Sequence, residues 1–255
     1  MSSRRADPVV ARDGDLVVER DPRRPTGRLL RQDDMDASYV DLADPRHLEF
    51  DYLRWARIVL EAVRARRVLH IGGAGCALPR ALAAADPASR HEVLEVDERV
   101  LELARAHLGL RRAPGLRVRV AEGRAALESR ADASADAIVV DAFVGGRVPE
   151  RLVTVEALTH AARVAPVTLV NVVDTRTLDD TRAIAAGLRE AYPHVAAVGS
   201  RALRGGNVVL AGSATELPLA RIAPRAAADP SPAAVIAPAE LTRLASGTAA
   251  LHDPT

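Results

Sequence analysis

The sequence predicts an α/β fold in which a mostly parallel, seven-stranded sheet lies between two layers of helices. From residue 67 onward, short continuous apolar runs alternate with longer helical stretches rich in Ala, Leu and Arg. Strands that are apolar throughout are typical of a parallel sheet buried on both faces. Aromatic residues make up only 2% of the 255 residues, so the core must consist mainly of Ala, Val, Leu and Ile. Such small side chains suit helices packed closely on a sheet.

Two segments are predicted to precede this domain. Residues 1–14 are polar and contain proline, which indicates a flexible tail. Residues 15–47 are predicted to form a small antiparallel β-meander, because turn-formers separate three stretches with β character: Asp15–Arg20, Gly27–Arg31 and Ala37–Leu42. A meander of this size is not stable alone, so we expect it to pack on the main domain or on a partner subunit.

The main domain is predicted to span residues 48–215 and to begin with an amphipathic helix that carries Tyr52 and Trp55 on its apolar face. Its parallel strands are predicted at Arg67–Ile71, Glu92–Val96, Leu116–Val120, Ala137–Val140 and Val167–Val173. The helices between them are predicted at residues 77–85, 98–108, 150–164 and 178–191.

The sheet is predicted to end in an antiparallel edge hairpin of His194–Gly199 and Asn207–Ala211, with Gly205-Gly206 at the turn. Residues 216–255 are rich in Ala and Pro and are predicted to be a C-terminal extension with one helix near Pro238–Ser246.

Composition excludes several classes of function. All 35 basic residues are arginine, which excludes lysine nucleophiles and Schiff-base chemistry. The net charge of +1 favours neither a nucleic-acid nor a membrane partner. The single cysteine, Cys76, and the scattered histidines predict no metal site and no disulfide. No signal peptide or membrane-spanning run is evident, so we expect a cytoplasmic protein.

The candidate site lies at the predicted strand ends, because ligands of open parallel sheets bind at the carboxyl ends of the strands. The first strand is followed by the loop Gly72-Gly73-Ala74-Gly75, where glycines allow close approach of a ligand to the backbone. The second ends at Glu95, placed for ribose hydroxyls, the third is followed by Glu122-Gly123, and the fourth ends before Asp141. Together these residues predict an adenosine-containing ligand bound by residues 67–141.

The chemistry of the loop narrows the class of nucleotide. The third glycine of a dinucleotide-binding loop is replaced by Leu78, and a Walker-type loop is excluded because the chain has no lysine. The acids at the strand ends would repel a polyphosphate, whereas they suit a nucleoside with a cationic sulfur. The prediction is therefore a sulfonium nucleoside.

These motifs resemble the spermidine synthase (polyamine aminopropyltransferase) family from about residue 37 to residue 211. The segments that carry the resemblance are Arg67–Gly75, Leu94–Asp97, Glu122-Gly123 and Asp136–Asp141. The resemblance implies a Rossmann-like, class I methyltransferase fold and a homodimer. It also implies S-adenosylmethionine or its decarboxylated form as co-substrate.

The resemblance further implies roles for individual residues. It implies that Glu95 binds the ribose, that Glu122 binds the adenine amino group, and that Asp141 lies beside the reacting amine. Tyr52 is similar to a tyrosine of the substrate pocket. The cofactor-binding set is Gly72, Gly73, Gly75, Glu95, Glu122 and Gly123.

Three positions depart from the family pattern. Gly75 and Val144 stand where the family has aspartates, and Glu122 replaces an aspartate. Each lost charge-assisted hydrogen bond to a cationic amine is worth roughly 1.5–3 kcal/mol. The nucleoside half of the site is thus better preserved than the acceptor half.

Several alternatives stay open at this point. The transferred group is aminopropyl or methyl, the acceptor is unknown but expected to be an amine, and a non-catalytic nucleoside-binding protein is the alternative to an enzyme. For Asp141, the alternative to a catalytic role is that it caps a helix. Asn171 and Asp174, at the end of the fifth strand, are expected to form a turn rather than to reach the site.

Overall fold

The N-terminal region forms a four-stranded antiparallel sheet. The computed structural model describes residues 8–33, 35–200 and 205–254. The strands pair in chain order: β1 (Val9–Asp13), β2 (Leu16–Arg20), β3 (Gly27–Gln32) and β4 (Met35–Asp41).

The prediction of a flexible tail over residues 1–14 is wrong for residues 9–13, which form β1. This strand forms because it pairs with β2 and because Val10 and Ala11 pack against the hydrophobic core. Residues 1–7 lie outside the described part of the chain. The predicted meander therefore has one more strand than expected.

The second sheet has eight strands within the described residues, in the order β12-β10-β11-β9-β8-β5-β6-β7. The strands are β5 (Arg67–Gly72), β6 (Arg90–Glu95), β7 (Leu116–Val120), β8 (Ala137–Asp141), β9 (Val167–Asp174), β10 (His194–Ser200), β11 (Gly206–Ser213) and β12 (Ala233–Ile236). Strands β5 to β9 run parallel, and β10 to β12 add antiparallel pairs. The predicted fold class is confirmed.

Helices cover both faces of this sheet. They are α1 (Asp51–Ala62), α2 (Ala77–Ala85), α3 (Glu98–His107), α4 (Gly123–Ser129), α5 (Val155–Val164), α6 (Asp179–Ala191), α7 (Leu219–Ala227) and α8 (Pro238–Leu244). One core cluster joins α1, α2, α3 and α7 to the sheet and to the N-terminal strands, and the other joins α4, α5, α6 and α8 to the opposite face. Among the helices of the described ranges, none is long and apolar enough to cross a membrane.

The C-terminal segment differs from the predicted extension. Residues 233–236 form β12, which pairs with β10, so the sheet has eight strands instead of seven and the predicted hairpin is not its edge. This strand forms because Ala233 and Ile236 are buried in the two core clusters. The unpredicted helix α7 buries Ile222 and Ala226 in the cluster that includes α1.

Two helices whose first turns are capped by side chains differ from the prediction. The helix predicted over residues 150–164 is instead a 3₁₀ turn at Glu150–Leu152 followed by α5, because Thr154 is extended and its Oγ1 accepts a hydrogen bond from the Ala157 amide. The short helix α4, which was not predicted, begins after Glu122.

The order of the strands reverses between β5 and β8. The chain moves outward from β5 to β6 and β7, and then returns to form β8 on the other side of β5. Gly72 at the end of β5 is in register with Asp141 at the end of β8. This is the position at which an open α/β sheet forms its ligand crevice.

Candidate active site

A cavity of about 370 Å³ opens at the carboxyl ends of β5, β6, β8 and β9, and residues 32 and 35–37 of the N-terminal sheet close its other side. Seven of the residues predicted for the site line this cavity: Tyr52, Gly72, Gly73, Glu95, Glu122, Gly123 and Asp141. Gly75 is not part of the wall.

The glycine loop has a backbone that favours glycine at two positions. Gly72 and Gly73 have φ values of +78° and +95°. A Cβ atom on Gly72 would lie 2.5 Å from the carbonyl oxygen of Asp141, whereas a Cβ atom on Gly73 would meet nothing within 4 Å. Gly72 therefore allows β5 and β8 to approach each other, and Gly73 leaves open space beside the cavity.

Gly75 packs the loop against the N-terminal sheet. A Cβ atom there would lie 2.7 Å from Ser38 Oγ and 3.0 Å from Leu108 Cδ1. An aspartate, which the family resemblance would place at this position, has no room unless these neighbours move. The cofactor-binding role of Gly75 stays a prediction. Burial raises the pKa of the adjacent Cys76 thiol to about 12, which suits a packing residue better than a nucleophile.

Glu95 ends β6 with its carboxylate held by the backbone. Its Oε1 accepts hydrogen bonds from the amides of Val96 at 2.8 Å and Asp97 at 3.1 Å. Burial raises the pKa of Glu95, and these amides offset part of the rise because they stabilise the charged form. The side chain is 9% exposed and is thus oriented before any ligand binds.

Glu122 caps α4 and pairs with an arginine that was not predicted from the sequence. Its Oε1 accepts from the Arg124 amide and its Oε2 from the Ala125 amide, both at 2.8 Å. Arg151 Nη2 lies 2.6 Å from Oε1. Burial raises the pKa of Glu122, but the two amides and Arg151 outweigh it and hold the pKa below its ordinary value.

At position 123, the packing of α4 against β5 leaves room only for glycine, whether or not Gly123 also contacts a ligand. A Cβ atom at this position would collide with the Cγ2 methyl group of Ile71, so a larger residue would push the first turn of α4 away from β5. The binding roles proposed for Glu122 and Gly123 stay predictions.

Asp141 lies between two side chains that donate hydrogen bonds to it. Tyr52 Oη donates to Oδ2 at 3.2 Å, and Asn171 Nδ2 donates to Oδ1 at 3.0 Å. Burial raises the pKa of Asp141, while the bonds from Asn171 and Tyr52 act in the opposite direction. The carboxylate bonds to these two side chains rather than capping a helix, and its catalytic role stays a prediction.

The turn-forming role expected for Asn171 is wrong, and the one expected for Asp174 is confirmed. Asn171 is buried within β9, with 3% of its surface exposed. Asp174 accepts hydrogen bonds from the amides of Thr175 and Thr181, both at 2.7 Å. An amide side chain inside an otherwise apolar strand was the signal for Asn171, because a buried polar group needs a partner.

Part of the cavity wall is apolar. Met35, Phe143, Val144 and Val173 belong to its wall, and Val144 is 74% exposed. An exposed valine at a cavity rim offers contact to apolar groups and no hydrogen bond. The cavity wall therefore combines apolar side chains with polar ones, among them the buried Asp141 and the exposed Asp36 and Arg151.

Solved structures of other proteins are similar to this chain. A probable spermidine synthase from Corynebacterium glutamicum is 30% identical, with 96% of each chain covered and a TM-score of 0.87. A spermidine synthase in complex with the transition-state analogue AdoDATO is 16% identical over 84% of this chain and 76% of that chain, with a TM-score of 0.64.

A more distant similarity shows the fold alone. Human methyltransferase-like protein 13, in complex with SAH, is 20% identical over 80% of this chain and 90% of that chain, with a TM-score of 0.53. No protein-family model and no curated protein sequence matches the chain. The identity and coverage of the Corynebacterium structure nevertheless place the chain plainly: it belongs to the spermidine synthase-like family of the class I methyltransferase superfamily.

Proposed function

We propose that this protein is a transferase that binds S-adenosylmethionine or decarboxylated S-adenosylmethionine and transfers an alkyl group to an amine acceptor. The observation that carries the proposal is the gathering of Gly72, Gly73, Glu95 and Asp141 around one cavity. The family relationship supports the same class of reaction, and two of the similar structures hold AdoDATO and SAH.

The residues of the cavity wall suit a cationic nucleoside. Four acids line the described wall, Asp36, Glu95, Glu122 and Asp141, against one basic residue, Arg151. Such a wall favours a sulfonium over a polyphosphate. The open backbone at Gly73 and the buried carboxylate of Glu95 are the groups that would hold the sugar and its substituent.

The donor would supply a carbon bonded to positively charged sulfur, which leaves as a neutral thioether when the amine nitrogen bonds to that carbon. The protein must place the amine and keep it unprotonated. Asp141 is suited to both tasks, because burial raises its pKa and makes it a stronger proton acceptor. Tyr52 and Asn171 hold its carboxylate in place.

Calorimetric titration tests the nucleoside half of the proposal. We expect S-adenosylmethionine, its decarboxylated form or methylthioadenosine to bind, and NAD to bind weakly or not at all. Binding of NAD without binding of any adenosyl-sulfur compound would overturn the proposal.

Release of methylthioadenosine or S-adenosylhomocysteine in the presence of amines tests the transferase half. We expect Asp141→Asn to retain nucleoside binding and to lose turnover, because the asparagine keeps the shape and cannot accept the proton. Nucleoside binding without product release across an amine panel would instead support a non-catalytic binding protein.

A further inference from the structure

A second cavity, of about 390 Å³, lies at the amino ends of β5, β6 and β7, at the opposite edge of the sheet from the candidate active site. Arg67 and Arg90 are the first residues of β5 and β6 and are register partners. Arg117 of β7 lies opposite Glu92 of β6. The charged residues of the wall are four arginines and one acid: Arg67, Arg90, Arg117, Arg130 and Glu92.

Gly115 holds the beginning of β7 close to the beginning of β6. It has a φ value of +81°, and a Cβ atom there would lie 2.5 Å from the carbonyl oxygen of Ser89. The amide of His91 donates a hydrogen bond to the Gly115 carbonyl at 2.6 Å. This close approach places Arg90 and Arg117 on the wall of the same cavity.

The acids in contact with these arginines do not balance their charge. Glu92 is shared by two arginines, since Arg119 Nε lies 3.0 Å from its Oε1 and Arg130 Nη2 binds its Oε2. Arg67 Nη2 lies 2.7 Å from Asp136 Oδ1. Three arginines therefore face two carboxylates.

Two further arginines of the wall have no acidic partner among the described residues. Arg90 Nη1 donates to the carbonyls of residues 87–89, which is a structural use of that side chain. Arg117 is exposed, and its side chain has no hydrogen bond or ion pair within the described part of the chain. Asp86 and Asp132, in the neighbouring loops, are each paired with another arginine. The cavity thus carries an excess of positive charge.

We propose that this cavity binds a small anion with two or more phosphoryl groups. The guanidinium group presents N–H donors in a fork that matches two phosphate oxygens, and several such groups around one cavity suit a ligand with several negative charges. The net charge of the whole chain is only +1, so the positive charge is local and does not form the extended basic surface that a nucleic acid requires. The inference is independent of the proposed transferase function, because the two cavities lie at opposite edges of the sheet.

Calorimetric titration with tripolyphosphate at low ionic strength tests the site. We expect the wild type to bind one equivalent, and Arg117→Gln to weaken binding about tenfold through the loss of one charge-assisted hydrogen bond. Because the Arg117 side chain has no partner within the described residues, its substitution should leave the fold intact. Absence of binding to the wild type would overturn the inference.

Two matched variants locate the binding. Arg189→Gln removes an exposed arginine of α6 outside the cavity wall and changes the net charge by the same amount, so we expect unchanged affinity. Arg151→Gln removes the basic residue of the candidate active-site wall, and we again expect unchanged affinity. Equal weakening in Arg117→Gln and Arg189→Gln would mean attraction by overall charge, and weakening in Arg151→Gln would mean binding at the other cavity. Either result would overturn the inference.

Two further comparisons define the ligand. Citrate, a carboxylate polyanion, should bind more weakly than tripolyphosphate, and equal affinity would overturn the assignment of phosphoryl groups. Uridine diphosphate is compared with pyrophosphate, because the half-buried Leu116 of the wall offers contact to an organic group. Tighter binding of uridine diphosphate supports an organic polyphosphate at this site, and tighter binding of pyrophosphate supports an inorganic one.

Discussion

Asp141 is a carboxylate whose surroundings make it harder to ionise than a carboxylate in water. Burial raises its pKa, and the hydrogen bonds from Asn171 and Tyr52 limit that rise because they stabilise the ionised form. The ionised form is present above the folded-state pKa and is lost as the pH falls through it. Any activity that needs the carboxylate must therefore decline on the acid side of the pH profile.

Tyr52→Phe should move this acid limb to higher pH, since removal of the Tyr52 hydrogen bond destabilises the ionised form of Asp141. The measurement is kcat/KM for an amine acceptor as a function of pH. Tyr192→Phe is the control, because Tyr192 is a buried tyrosine bonded to Thr168 outside the cavity wall. A limb that stays in place in Tyr52→Phe would contradict the assignment of Asp141 as the proton acceptor.

Glu95→Gln should weaken nucleoside binding by about one to two orders of magnitude, because hydrogen bonds to a charged group are worth roughly 1.5–3 kcal/mol. The glutamine oxygen can still accept from the Val96 amide, so the fold should persist. Calorimetry with methylthioadenosine measures the change. Glu92→Gln is the control, since this strand residue pairs with Arg119 outside the cavity. Equal effects of the two substitutions would argue against a sugar-binding role for Glu95.

At the scale of secondary-structure elements, the site depends on how closely β5 approaches its neighbours β8 and β6. Gly72 and Asp141 are register partners across the first pair. Across the second pair, His70 Nε2 lies 3.2 Å from His91 Nδ1, and Ser89 Oγ lies 2.8 Å from His91 Nε2. The contact between the two histidines ties β5 to β6, and the Ser89 contact holds the His91 ring in place.

Gly72→Ala should lower the free energy of unfolding by about 1–3 kcal/mol more than Gly73→Ala. Both positions have positive φ, so both substitutions introduce backbone strain. Only the Cβ atom at residue 72 would meet backbone, at the carbonyl oxygen of Asp141. Urea unfolding of the two variants measures the difference. Equal losses would mean that the approach of β5 to β8 is not limited by Gly72.

The buried histidine pair should make the fold sensitive to acid. Burial lowers the pKa of His91 to about 4, and burial together with the neighbouring His91 lowers the pKa of His70 well below its ordinary value. Both are neutral when folded and protonate more readily when unfolded, so stability is complete above the ordinary value of about 6.5 and falls below it.

For His91 alone, the free energy of unfolding should fall by about 2 kcal/mol between pH 7 and pH 5. Chemical unfolding at the two pH values measures the loss. His91→Gln should reduce it, whereas His194→Gln in β10 should not. A wild type equally stable at both pH values would contradict the prediction.

At the scale of the whole molecule, the C-terminal segment holds distant parts of the chain together. β12 completes the sheet beside β10, and Arg54 of α1 pairs with Asp229 at 3.0 Å. Near the C-terminus, Asp253 accepts hydrogen bonds from Arg124 and from Thr154 Oγ1. The segment therefore contributes to the same cores as the helices that cover the sheet.

Ile236→Ala should lower the free energy of unfolding by about 2–5 kcal/mol, because Ile236 is buried in the core shared with α8 and its loss leaves a cavity. Val235→Ala, at the next and less buried position, should cost less. A single unfolding transition is expected for both variants. A separate early transition in Ile236→Ala would show that residues 216–255 unfold independently of the main sheet.

The sequence by itself determined the succession of strands and helices and the positions of the acids at the strand ends. Continuous apolar runs and helical periods are local patterns, and parallel strands bring their carboxyl ends to one edge of the sheet. Glu95 and Asp141 could therefore be assigned to one site without coordinates.

Only the tertiary structure decided which residues complete that site. Asn171 of β9 donates a hydrogen bond to Asp141 of the neighbouring strand β8. Arg151, in the 3₁₀ turn before α5, pairs with Glu122, and Ser38 occupies the space beside Gly75. The edge strand β12 likewise depends on its pairing with β10. These contacts join residues that are far apart in the chain. A local sequence pattern cannot predict them, because they form only when distant elements pack against each other.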